Sequence, residues 1–312
     1  MAGLISVGRH LPDTVPVARL QEPLGMTDAQ VRRFTRLYGL GRICQAPARS
    51  EADLLCAAVS GLLDFPALAS RIRWVIRANG LRTTAPYPHS PVHEACRRLG
   101  LRDATVLSVA DHGCATGLLA LDVASTLLAA DPDPDALALV LAGDKTATPF
   151  TQWVADVSIM GEGFAAALLS AHSDRDRIVG YAATVHGRAD GLIDMTPELA
   201  KVAKVANKIY QDTLFEVITE AVEAAGITVA DLALVLPHNV NRVSWTVASA
   251  KLGISQDTLL LDNIECTGHC FCADPLINYR TAVAGQRLRP GDHYLMTSAG
   301  LGQAFGAMVL RH

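Results

Sequence analysis

Two stretches of this chain run through the same features in the same order, and that order constrains the fold more than any single motif does. In the first, Leu99-Gly100 precedes an apolar run at Thr105–Ala110, a glycine-containing turn with Cys114, a helical segment, a charged turn and a second apolar run at Leu137–Ala142. In the second, Leu252-Gly253 precedes Thr258–Leu261, a glycine-containing turn with His269, a helical segment, a charged turn from Arg287 to Asp292 and the run His293–Thr297. Each stretch closes alike: Gly161-Glu162-Gly163-Phe164-Ala165-Ala166-Ala167-Leu168-Leu169 resembles Gly302-Gln303-Ala304-Phe305-Gly306-Ala307-Met308-Val309-Leu310. Self-similarity at this scale predicts a duplicated unit. A pseudo-twofold axis between the copies would place Cys114 and His269 at equivalent strand-to-helix junctions, facing one site from opposite sides.

The rest of the chain fits that frame. Gly3–Gly8, Arg73–Arg77, Gly163–Ala171, Ile178–Thr184, Leu232–Leu236 and Ala307–Arg311 read as further strands, and the continuous apolar runs among them suit sheets covered on both faces. Helices are predicted over Asp28–Tyr38 behind Thr27 as N-cap, Glu51–Leu63, Val92–Leu99, Cys114–Ala130, Pro197–Ala225, the segment ending at Leu252-Gly253, and Asp274–Ala284. Strands alternating with helices indicate an α/β fold. At 312 residues the chain exceeds one minimal core, which suits two domains or one large duplicated unit.

Composition excludes several classes. A formal net charge of −4 and a pI near 6.2 give no global basic field, so nucleic acid is not an expected partner. The arginine clusters Arg32, Arg33, Arg36 and Arg71, Arg73, Arg77 read first as solvated surface. The amino terminus lacks a secretory profile and no apolar run reads as long enough to cross a bilayer, so no membrane is expected. Seven cysteines, an odd number, then read as reduced thiols in a cytoplasmic protein.

Cys114 is the candidate nucleophile. A strand, the Gly113 turn and a following helix would put its sulfur at a helix N-terminus, where the dipole and free N–H groups favour a thiolate that can attack a thioester. The small residues Ala115, Thr116 and Gly117 leave room for close approach of other segments. His238 ends the strand Leu232–Leu236, and ligand-facing residues of α/β sheets sit at such carboxyl ends. It could accept a proton or donate to a developing oxyanion, and His269 offers a second imidazole for the same carbonyl. Cys266, His269, Cys270 and Cys272 crowd together, but their spacing matches no paired Cys-x-x-Cys zinc set, so no metal is expected. The turn Ser298-Ala299-Gly300-Leu301-Gly302 would let backbone N–H groups approach a ligand and, with the Cys114 N–H, form an oxyanion hole.

In order, Ala110-Asp111-His112-Gly113-Cys114-Ala115-Thr116-Gly117, Val235-Leu236-Pro237-His238-Asn239-Val240-Asn241 and the tail from Ser298 to Arg311 resemble β-ketoacyl-acyl-carrier-protein synthase III and its relatives in the thiolase superfamily. The resemblance covers nearly the whole chain. It implies a five-layer αβαβα thiolase fold with two pseudo-twofold-related halves, 1–172 carrying the nucleophile and 173–312 the histidines, and a homodimer. It implies acylation of Cys114 from an acyl carrier protein or coenzyme A thioester with no other cofactor, transfer to a small-molecule acceptor, and a role in fatty-acid-like or polyketide biosynthesis. It assigns His238 to the second half-reaction, the oxyanion hole to the N–H groups of Cys114 and Leu301, and a pocket and dimer loop to the Pro86-Tyr87-Pro88 segment.

The departures bear on the chemistry. His269 stands where the family usually has Asn, so the set Cys114, His238, His269 resembles the elongating ketosynthases. Arg33 takes the place of the aromatic residue that stacks on adenine, which favours a carrier-protein donor whose acidic helices would meet Arg32, Arg33 and Arg36. Related acyl-ester synthases use an aspartate near Asp274, but Pro275 beside it reads as a helix start. The bond formed, carbon–carbon, ester or amide, stays open at this level, and so does a catalytically inactive partner subunit as an alternative.

Overall fold

Most of the apolar runs form strands of one nine-stranded sheet in the computed structural model, which describes residues 1–81, 85, 88–154, 157–185, 199–300 and 303–312. The strands are β1 (Gly3–His10), β2 (Ile72–Ala78), β3 (Thr105–Val109), β4 (Leu137–Ala142), β5 (Phe164–Ser170), β6 (Arg177–Val185), β7 (Leu232–Pro237), β8 (His293–Gly300) and β9 (Ala304–Arg311). Their order is β7-β8-β9-β6-β1-β5-β4-β2-β3, with the seam at Gly3 of β1 opposite Arg177 of β6.

The repeat is visible in the pairing. Outward from the seam, one half runs β1-β5-β4-β2-β3 and the other β6-β9-β8-β7, extended by a single bridge between Val235 and Leu259. In both halves the first two pairs are antiparallel and the outer pairs parallel. One expectation fails here: Thr258–Leu261 is not a strand but a 3-10 turn, Gln256–Thr258, running into that lone bridge. Its counterpart β3 is an edge strand, half-buried rather than buried, because only one side and part of each face are covered.

Among the described residues, six helices of eight residues or more cover the sheet: α1 (Glu51–Val59), α2 (Pro91–Arg98), α3 (Thr116–Ala130), α4 (Leu199–Ala224), α5 (Arg242–Leu252) and α6 (Asp274–Ala284). Leu118, Leu121 and Ala124 of α3 share a core with Leu276 and Ile277 of α6, with Ala138 and Val140 of one half and with Leu234 and Met296 of the other. Leu54, Leu55 and Ala95 of α1 and α2 pack with Leu139, Leu141 and Phe164 on the outer face of the first half. Leu214, Ile218 and Trp245 of α4 and α5 do the same with Val235, Leu295 and Phe305 on the second. The layers are therefore αβαβα. Successive β4 residues enter different cores, so the strand is apolar throughout rather than alternating.

The central position of α3 corrects the reading of apolar runs. Gly113–Ala130 has a mean hydropathy of 1.6, enough by length and composition for a bilayer span, but it lies sandwiched between the two half-sheets. A helix covered on nearly every side is apolar on nearly every side. The helix behind Thr27 does start with a reciprocal Thr27–Gln30 capping box, covers Asp28–Arg32 and continues as a π-turn over Arg33–Leu37.

Candidate functional site

Leaving β3, the chain turns through Asp111 and Gly113, both with positive φ, into a single 3-10 turn, Gly113–Ala115, that leads into α3. Cys114 sits in that turn, buried, at the start of the central helix. Close packing from the other half fixes it. A Cβ on Gly300 would lie 2.6 Å from the Cys114 backbone nitrogen, and one on Gly117 only 2.3 Å from the Cys272 carbonyl oxygen. The Ser298 hydroxyl donates to the Cys114 carbonyl at 2.8 Å. Met160 and Phe271 complete the apolar wall around the sulfur.

The second half supplies the counterpart, though a short helix, Ile264–Thr267, rather than the expected strand leads into it. His269 is held through its main chain: its N–H donates to the Ile159 carbonyl and its own carbonyl accepts from Gly161. Phe271 then takes a left-handed φ of 52°, a strain of about 1–3 kcal/mol, and the chain reverses through the 3-10 turn Phe271–Ala273 into α6. That reversal aims Asp274, the first residue of α6, back at His269. The result is a buried chain of contacts. His269 Nε2 lies 3.0 Å from Cys114 Sγ, and His269 Nδ1 lies 2.5 Å from Asp274 Oδ2. The remaining acceptor sites of Asp274 are filled by the backbone N–H of Cys270 (2.9 Å), the backbone N–H of Asn239 (2.6 Å) and the Asn239 amide (3.1 Å). Asn239 is itself held by an amide N–H···O bond from Asn278 at 2.9 Å.

Burial alone would lower the pKa of His269. The negative charges of Cys114 and Asp274, with their hydrogen bonds, outweigh it and push the imidazole up to about 10. His238 behaves oppositely: burial, then the charge of His269, hold it well below the ordinary imidazole range, so it is neutral. Its ring centroid lies 5.4 Å from that of His269, and Trp245 packs edge-on at 5.3 Å. Its Nε2 is 3.4 Å from the Tyr210 hydroxyl, and its buried Nδ1 has no hydrogen-bond partner among the described residues.

The sequence thus placed Cys114, His238 and His269 in one site, and the structure brings all three together. The roles differ from two equivalent imidazoles addressing one carbonyl. His269 is bound to the sulfur and to a carboxylate, while His238 turns to Tyr210. Asp274 is the correction to the sequence reading. It opens a helix next to Pro275, as expected, and it is also the partner of His269; an acid five residues beyond a histidine across a tight turn was the available signal. Tyr210 had no signal, being one aromatic in a long helix. Arg32, Arg33 and Arg36 are exposed on and just beyond the helix capped by Thr27. Leu301 and Tyr87 lie outside the described residues. Cys266 is exposed, the Cys270 thiol meets the Thr267 carbonyl and the Cys272 thiol meets the Ala78 carbonyl. Among the described residues no cluster of three His, Cys, Asp or Glu side chains is placed to hold a metal.

Comparison with known proteins agrees with this architecture. Residues 222–312 match the family model for the C terminal of 3-oxoacyl-[acyl-carrier-protein] synthase III. Over its full length the chain is 24% identical to the β-ketoacyl-[acyl-carrier-protein] synthase III of Coxiella burnetii strain CbuK_Q154, covering 99% of each. It is 26% identical to that of Rhizorhabdus wittichii over 69% of each. Among solved structures, the acyltransferase ChlB3 superposes with a TM-score of 0.86 at 23% identity, covering 99% of this chain and 97% of that one. The 3-oxoacyl-[acyl-carrier-protein] synthase III of Aquifex aeolicus VF5 gives 0.82 at 20% identity and full coverage of both. The chain is therefore similar over nearly its full length to β-ketoacyl-[acyl-carrier-protein] synthase III proteins and shares their fold.

Proposed function

We propose that this protein is an acyltransferase that takes an acyl group from a carrier-protein or coenzyme A thioester onto Cys114 and passes it to an oxygen or nitrogen nucleophile of a small acceptor. One observation carries this reading: His269 bridges Cys114 Sγ and Asp274 Oδ2. In the first step the Cys114 sulfur attacks the thioester carbonyl, a new C–S bond forms, and the tetrahedral adduct collapses by breaking the donor's C–S bond. The departing pantetheine sulfur takes the proton from His269 Nε2. Acylation removes the sulfur's negative charge, one of the groups that raise the His269 pKa, so the imidazole becomes a neutral base. It then takes the proton of the acceptor's nucleophile as that atom attacks the acyl carbonyl. Asp274 holds the Nδ1 proton and so fixes the tautomer that leaves Nε2 available. The backbone N–H of Cys114 is the oxyanion donor, with that of Leu301 as its proposed companion.

Decarboxylative condensation is the weaker reading. It calls for two neutral donors on one thioester carbonyl, whereas His269 is engaged by a sulfur and a carboxylate and His238 by Tyr210. An inactive subunit is weaker still, because it would have no need to keep a buried Cys-His-Asp chain. The proposal includes halves 1–172 and 173–312, no cofactor beyond the thioester, a cytoplasmic location, and a homodimer, for which the open edge of β3 offers a strand. Placement in polyketide-like biosynthesis is supported by the likeness to a priming β-ketosynthase of the R1128 polyketide pathway. The test is intact mass spectrometry with acyl carrier-protein and coenzyme A donors, followed by addition of malonyl thioester, an alcohol or an amine. Acyl mass on wild type but not on Cys114→Ala, discharged by a heteroatom acceptor without carbon dioxide, is the expected result. Carbon dioxide release with malonyl thioester would overturn it.

A further inference from the structure

The reaction just proposed leaves one polar pair beside Cys114 unused. His238 is locked through its main chain: its N–H donates to the Thr297 carbonyl at 3.0 Å and its carbonyl accepts from Trp245 Nε1 at 2.8 Å. Among the described residues its ring has one polar partner, the Tyr210 hydroxyl at 3.4 Å from Nε2. Tyr210 is placed by ring contact with Phe305, with centroids 5.4 Å apart.

The proton positions follow from what each atom can tolerate. His238 is neutral, so one ring nitrogen carries a hydrogen and the other a lone pair. Nδ1 is buried with no partner among the described residues. A buried N–H without an acceptor is rarer and costlier than an unused lone pair. The hydrogen therefore belongs on Nε2, which donates to the Tyr210 oxygen. Burial and the nearby Cys114 charge keep the phenol protonated, so its O–H remains to be donated onward. The proposed oxyanion donor, the Cys114 N–H, lies in the turn packed against Gly300, which leaves Tyr210 free for the acceptor.

We infer that Tyr210, oriented by His238 Nε2, donates its hydroxyl hydrogen to one lone pair of a hydroxyl acceptor's oxygen and so holds that atom, its second lone pair free to attack the acyl carbonyl, with its own hydrogen toward His269. Tyr210 is thus an acceptor-binding residue and His238 its positioning residue rather than the base. The inference rests on the heteroatom-transfer reading, and the experiment separates the two. Rates of Cys114 acylation and of discharge over a concentration series of an alcohol, from well below KM to saturation, are measured apart, for wild type, Tyr210→Phe, His238→Phe, the double variant and His238→Gln. Tyr210→Phe should load Cys114 within about twofold of wild type yet lose about tenfold or more in kcat/KM for the acceptor, seen mainly in KM, the size of one substrate hydrogen bond. His238→Phe should match it, the double variant should add little, and His238→Gln, which keeps an N–H donor, should recover part of the loss. Unchanged discharge in Tyr210→Phe overturns the inference, as do equal losses in both half-reactions accompanied by a lowered Tm. If wild type never acylates, the functional reading itself has failed.

Discussion

Asp274→Asn, made in a chain whose Cys114 is already Ala, isolates the carboxylate's hold on His269. The rise of His269 from 6.5 to about 10 corresponds to about 5 kcal/mol by which the folded chain prefers the protonated ring. Cys114 and Asp274 share that preference, and Cys114→Ala leaves Asp274 alone to supply it. A group whose folded pKa is raised lends stability that is complete below its unfolded pKa of about 6.5 and is lost as pH climbs through the folded value. The Cys114→Ala chain should therefore lose stability above pH 6.5, at up to about 1.4 kcal/mol per pH unit until His269 deprotonates. In Cys114→Ala/Asp274→Asn only burial remains, which lowers the His269 pKa, so that loss should vanish. Urea unfolding of both chains at intervals from pH 6 to 9 gives the difference, in which other titrating groups cancel. The advantage of the carboxylate should shrink by about 2–3 kcal/mol across the range. A difference that does not change with pH would refute the reasoning. With Cys114 present, Asp274→Asn should reduce acyl transfer by about 10²–10⁴, the scale on which a triad carboxylate sets the histidine tautomer.

Other variants probe the frame around the site. Gly300→Ala forces a methyl to within 2.6 Å of the Cys114 nitrogen. It should slow acylation, measured by intact mass against time, by about tenfold or more while leaving the far-UV spectrum unchanged. Arg77 is buried among Glu51, Asp144 and the Gly143 carbonyl, so Arg77→Met strands two carboxylates and should lower unfolding free energy by about 3–5 kcal/mol. Asp176 accepts from Tyr279 at 2.5 Å, from Tyr294 at 3.0 Å and from His312 Nδ1 at 2.7 Å, tying the C-terminus to the seam. Asp176→Ala should cost about 3 kcal/mol or more in denaturant unfolding, whereas deleting His312 alone should cost about 1 kcal/mol.

The repeat, the α/β class and the strand-to-helix junction at Cys114 were legible in the sequence because each follows from local pattern: apolar runs, glycine turns and caps act within a few residues. The same locality explains the failures. Thr258–Leu261 has a strand's composition, but only one bridge to Val235 is available at its edge. Gly113–Ala130 has a membrane span's composition because two half-sheets, distant in sequence, enclose it. Asp274 was read as a helix start, which it is; its second role depends on the left-handed turn at Phe271 that swings it onto His269. Which imidazole meets the sulfur, and which turns to Tyr210, was decided only when β7, α4 and α6 packed together. Side-chain pairing across 155 residues between Cys114 and His269 is set by tertiary distance and by which buried proton finds an acceptor, and neither quantity is written in the spacing of residues along the chain.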